Sequence, residues 1–112
     1  MNIERILEII KNREYSQILK KQGILNIGAQ YNIMTNNGGI IRIVPLFKFI
    51  GGFKRVFMIY LFVPSESKPV KLFRIERDDK YYVSVRNAYK TIVQDYNGEL
   101  QLQIEEKYMH FF

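Results

Sequence analysis

Apolar and polar residues alternate strictly over residues 25–33. Leu25, Ile27, Ala29, Tyr31 and Ile33 fall on one parity, and Asn26, Gly28, Gln30 and Asn32 on the other. A period of two predicts a strand with one buried and one wet face. Asn36-Asn37-Gly38-Gly39 follows, a hairpin turn by composition, because Asn and Gly accept positive φ at little cost. The return strand is predicted over residues 40–50, with Pro45 pointing to an edge position or a bulge. Gly51-Gly52 then closes a second hairpin onto residues 53–63. This third strand is apolar on both faces after Arg55: Phe57, Ile59 and Leu61 on one, Val56, Met58, Tyr60 and Phe62 on the other. Such a pattern predicts a central strand covered on both sides, by helices or by a second subunit. A fourth strand is predicted over residues 70–77, after the polar loop at 64–69, and Arg77-Asp78-Asp79-Lys80 turns the chain again.

Helical spacing marks the two flanks. Ile3, Ile6, Leu7 and Ile10 begin an apolar face that Ile18 and Leu19 continue, so a helix is predicted over residues 3–22, bent near Asn12. Asn2 is its expected N-cap and Gly23 its expected C′ residue. A short extended piece is expected at residues 81–84. Val85, Ala88, Tyr89, Ile92, Val93 and Tyr96 predict a second helix over residues 85–96, capped by Ser84 and ended by Asn97-Gly98. Leu100, Leu102 and Ile104 alternate with Glu99, Gln101, Gln103 and Glu105, which predicts a final strand. The expected fold is a single α+β domain over residues 1–112, in the order α-β-β-β-β-α-β, with a mostly antiparallel four-stranded meander. The apolar tail, which includes Phe111 and Phe112, is expected to pack on its own domain or on a second subunit.

Charge sharpens this picture. The chain has 112 residues and a net charge of +6, yet no acid occurs from position 15 through 65. The basic character therefore belongs to the first flank and the central strands, which raises nucleic acid or an acidic partner as ligands. Basic, aromatic and apolar residues interleave over residues 39–63, as they do in proteins that bind single strands by stacking bases beside a cationic groove. Arg42, Lys48, Lys54, Arg55, Lys71 and Arg74 are the expected phosphate partners, with Tyr31 and Tyr60 as the expected stackers. Phe47, Phe49, Phe53 and Phe73 lie among them and read as core. Assignment by parity alone means that a single bulge would exchange faces.

Other chemistries find less purchase. There is no Cys, so neither a disulfide framework nor a thiolate metal site can form. That fits a reducing, cytoplasmic setting. The longest clean apolar run, residues 56–63, is far short of the ~20 residues a membrane helix needs. The N-terminal stretch reads as a charged amphipathic helix rather than a secretory signal. Neither Gly pair has the spacing of a phosphate loop. Glu66, Glu76, Asp78, Asp79 and Lys80 could furnish a minimal metal-dependent nuclease, but turns attract such residues for solvation alone. His110 has no evident catalytic companion. The expectation is thus a small non-enzymatic protein without cofactor that binds single-stranded DNA or RNA as a homodimer. The alternative is a protein-interaction module, such as a viral or mobile-element regulator that inhibits a host complex; an abundance of Ile, Lys, Asn and Tyr suits such an origin.

Overall fold

The computed structural model describes residues 2–22, 28–48 and 54–111; at positions 47, 48, 54, 104, 105, 108 and 110 it describes the backbone only. Helix α1 (Ile3–Lys11) leads into strands β1 (Tyr15–Lys21), β2 (Gln30–Thr35), β3 (Ile40–Lys48), β4 (Lys54–Phe62) and β5 (Lys71–Ile75). Helix α2 (Tyr82–Tyr108) follows, and a 3-10 turn, η1 (Met109–Phe111), ends it. The strands form one antiparallel five-stranded sheet in the order β1-β2-β3-β4-β5. The α+β class, the leading helix, the meander and the helix after it all agree with the sequence pattern.

Two elements differ from expectation. The first helix stops at Lys11, and residues 15–21 form an added edge strand. The stop is a Schellman turn: Glu14 N–H donates to Ile9 C=O at 2.9 Å and Arg13 N–H to Ile10 C=O at 3.2 Å. Arg13 holds the left-handed position with φ 53°, a place usually taken by Gly. The second correction concerns the end of the chain. Residues 99–105 continue α2 rather than forming a strand, and the helix passes through Asn97-Gly98 without a break. It also begins at Tyr82, so residues 82–84 are helical rather than extended and Ser84 lies inside the first turn. Asp79 accepts the Tyr81 N–H at 2.8 Å just before it.

Period two does the sorting. Ile18, Tyr31, Ile33, Ile41, Ile43, Phe57, Ile59, Leu61 and Ile75 share one face of the sheet and are buried. Against them pack Ile3, Ile6, Ile9 and Ile10 of α1 and Val85, Ala88, Tyr89 and Ile92 of α2. Both helices therefore cover the same face. Asn2 caps α1 as its sequence indicates, its Oδ1 accepting the Arg5 N–H at 3.0 Å. Tyr89 donates its hydroxyl to the Ala29 carbonyl at 2.7 Å and leaves no polar atom of its ring unsatisfied inside the core. Gly28, at φ 124°, lies so close beneath this bond that an added Cβ would stand 3.1 Å from both Pro45 Cγ and the Tyr89 hydroxyl.

The β2–β3 hairpin turns at the expected Asn-Asn-Gly-Gly, with Gly38 at φ 88°. Pro45 pairs with Phe57 in an unbroken β3–β4 register, without a bulge. The ladder between β2 and β3 ends at Tyr31 and Ile43, so Pro45 owes no N–H to β2. The Gly51-Gly52 turn, Phe49, Phe53, Gly23 and residues 25–27 lie outside the described residues. No helix among the described residues is long and apolar enough to cross a membrane.

Candidate nucleic-acid interface

Among the described residues, no helix packs on the face of the sheet opposite α1 and α2. Along central β4 that second side is only partly covered: Val56 is buried there, at 3% exposure, while Met58, Tyr60 and Phe62 are half-exposed. Cross-strand register builds a row over this face: Leu19 of β1, Asn32 of β2, Arg42 of β3, Tyr60 of β4 and Leu72 of β5. Lys21 of β1 and Arg74 of β5 belong to the same face, Arg74 opposite Met58.

Arg42 is held at the centre of this row. Its Nε donates to Asn32 Oδ1 at 2.9 Å, and its guanidinium carbon lies 4.5 Å from the centroid of the Phe62 ring. Tyr60 and Phe62 are two residues apart on one strand, so their rings stand side by side, 6.5 Å between centroids and 28° from coplanar. The amide fixes the rotation of the guanidinium plane while the ring supports it, an attraction worth about 0.5–1 kcal/mol at an exposed site. Together these groups form a platform with two aromatic faces beside one immobilised cation.

The expected site residues divide between the two faces. Arg42, Tyr60 and Arg74 are together on the open one. Arg74 is exposed and pairs with Glu76 at 3.2 Å, which reduces its field without removing it. Lys48 and Lys54 occupy paired backbone positions where β3 meets β4 at the hairpin end. Arg55 and Lys71 lie on the helix-covered face. Arg55 sits over the Phe57 ring at 5.9 Å, and Lys71 lies over the Phe73 ring at 5.1 Å. The reason is parity: Arg55 alternates in step with buried Phe57, and Lys71 with buried Ile75, with no bulge between. Tyr31 is also displaced from the site. It is only 2% exposed and meets the rings of Tyr89 and Tyr96 edge-on, both at 5.7 Å. Burial raises its phenol pKa, as expected for a core tyrosine that cannot stack on a base.

Asn32 and Phe62 complete the platform and were not among the expected residues. Phe62 shares the parity of Tyr60, which was legible; the Asn32–Arg42 bond depends on strand register and was not.

Two other places bear on chemistry. The turn acids Asp78 and Asp79 lie with Arg74 and Glu76 around a shallow hollow, and Asp79 is occupied by the Tyr81 N–H. Among the described residues no group of three His, Asp or Glu converges on a metal position. A cleft of about 640 Å³ opens at the end of the sheet, lined by Ile9, Leu61, Val63 and Val70. Of the two cations that line it, Arg5 is already bound to Glu14 at 3.1 Å and to Glu8 at 3.2 Å, and Lys71 lies over the Phe73 ring. The open sheet face is therefore the surface with both stacking groups and a positioned cation. Comparison with known proteins leaves this reading to the geometry, for the chain matches no family model, no curated protein and no solved structure.

Proposed function

We propose that this chain binds single-stranded nucleic acid across the open face of its sheet. The observation that carries the reading is the platform of Tyr60 and Phe62 with Arg42 fixed beside them. Unstacked bases find π-faces on the two rings, and the guanidinium donors not used by Asn32 reach phosphate or a base edge. Lys21 and Arg74 extend the cationic character of this face to the two edge strands of the sheet. A duplex hides its base faces, so a platform of this kind favours single strands.

Fluorescence anisotropy of labelled single-stranded and duplex oligonucleotides, at about 50 and about 200 mM salt, tests this. With several phosphates neutralised, affinity falls by orders of magnitude across that range. Tyr60→Ala should weaken single-strand binding by about ten- to a hundredfold, the loss of one stacked base. Lys71→Ala, on the other face, should change it little. Absence of binding at the lower salt, or equal losses from the two substitutions, rejects the proposal.

A second reading rests on the aliphatic part of the same face. Leu19, Leu46 and Leu72 are 47%, 41% and 50% exposed. Apolar side chains gathered on one surface mark protein contacts. A protein-interaction module would bind its partner through them with little dependence on salt.

A further inference from the structure

Helix α2 runs on past the core it packs against. Among its described side chains, Ile92 is the last fully buried one, and Val93 and Tyr96 are the last to pack against the core. After Tyr96 every described side chain of α2 is exposed, Leu100 by 44% and Leu102 by 60%; Met109 of η1 is exposed by 73%. A helical end of this length is marginal in water, and Asn97-Gly98 at its root weakens it further. Its sequence is ordered all the same. Glu99, Leu102, Glu106 and Met109 succeed one another at steps of three, four and three residues, which puts acid, apolar, acid and apolar groups on one stripe. Beyond Tyr96 the chain carries three carboxylates against one lysine, in a protein whose net charge is +6.

The open sheet face is the complement of that stripe. Its strands β1 to β4 contain no carboxylate, and it presents Lys21, Arg42 and, paired with Glu76 at its edge, Arg74, between Leu19, Leu46, Leu72 and Tyr60. The spacing also agrees. Seven helical residues, from Leu102 to Met109, rise about 10 Å. Two interstrand steps, from β3 to β5, cover about 10 Å. The protomer's own α2 lies on the opposite face of its sheet, so the stripe meets such a face on another chain.

We propose that the end of α2 seats on the open sheet face of a second copy of this chain. The exchange is reciprocal and closes a twofold dimer, each protomer giving one helix end and one sheet face. Glu99 and Glu106 approach the cations of the face, while Leu102 and Met109 cover its aliphatic row. The dimer rests on charge and apolar complementarity, independently of the nucleic-acid reading. If that reading also holds, strand and helix end compete for Arg42 and Tyr60.

Sedimentation of the full-length chain without nucleic acid tests the dimer by itself, so its outcome is separate from that of the anisotropy titration. A dimer that weakens as salt rises is expected. Glu99→Lys with Glu106→Lys should leave a monomer of unchanged circular dichroism, as should Arg42→Glu with Arg74→Glu. Mixing these two variants should restore a one-to-one dimer through two complementary contacts, one with its charges exchanged and one native. A wild-type chain that stays monomeric into the millimolar range overturns the proposal. So does a dimer indifferent to both charge reversals, a mixture that fails to pair, or an open-ended assembly in place of a closed dimer.

Discussion

Tyr15, Tyr31, Tyr81 and Tyr89 are each harder to ionise than a free tyrosine, for reasons that differ from residue to residue. Burial dominates at Tyr15, Tyr31 and Tyr89, and at Tyr15 the hydroxyl also donates to Asp95. At Tyr81 the bond to Glu4 leads. With the folded pKa above the unfolded value of about 10, these groups contribute stability that is complete below that pH. The contribution is lost as pH rises through the folded values. Alkaline titration of tyrosinate absorbance should therefore lag behind that of the urea-unfolded chain, and folding stability should decline above about pH 10. Superimposable native and unfolded titration curves would contradict the placement of these rings. Only part of this was legible at the residue scale. Tyr31 carried its fate in its parity, since it shares the face of Ile33; Tyr60 and Arg42 were found by type. The Asn32–Arg42 bond was hidden because it joins residues on two strands.

At the scale of elements, both corrections arise where a helix terminates against the usual signal. Chain reversal after Lys11 uses Arg13 in a left-handed conformation, held by an Asp95 partner at 3.0 Å on α2. A Gly there would have announced the stop; an Arg that depends on a residue far along the chain does not. Gly98 errs the other way. Asn97-Gly98 has the composition of a helix end, yet the helix continues, and a Cβ on Gly98 would meet nothing within 4 Å. Ala has the higher helix propensity in an exposed interior, so Gly98→Ala should stabilise the protein by about 0.5–1 kcal/mol and increase its helical dichroism. A loss of stability would instead place Gly98 in a turn. The alternation of residues 99–105 misleads for a related reason: no described side chain there meets the core of its own protomer, so that core imposes no broad apolar face on this part of the helix.

At the scale of the molecule, α1 and α2 on one face and an open second face follow from a single core. All the buried strand residues of that cluster share one face of the sheet and belong to one core with residues of both helices. The chain should consequently unfold in one transition, with tyrosine fluorescence and far-ultraviolet dichroism coincident in urea. Separated transitions would show that the β1 edge or the helix end forms an independent unit. The same asymmetry is why the proposed site falls on the open face: one side of the sheet is consumed by packing and the other presents cations, rings and aliphatic groups.

The sequence by itself determined the elements whose signals are local. Strands β2 to β5, the Asn-Asn-Gly-Gly turn, the start of α1, the stripe of α2 and the acid-free central stretch all follow from neighbouring residues, through period two, period 3.6 and turn chemistry. Tertiary structure decided what depends on residues distant in the chain. The partner of Arg13 is Asp95, which lets residues 15–21 leave the helix and join the sheet. Both helices take the same face, which separates Arg55 and Lys71 from Arg42 although all are basic strand residues. Cross-strand register brings Asn32, Arg42, Tyr60 and Phe62 together. Such pairings carry no local signature, because their energy exists only once the strands have met.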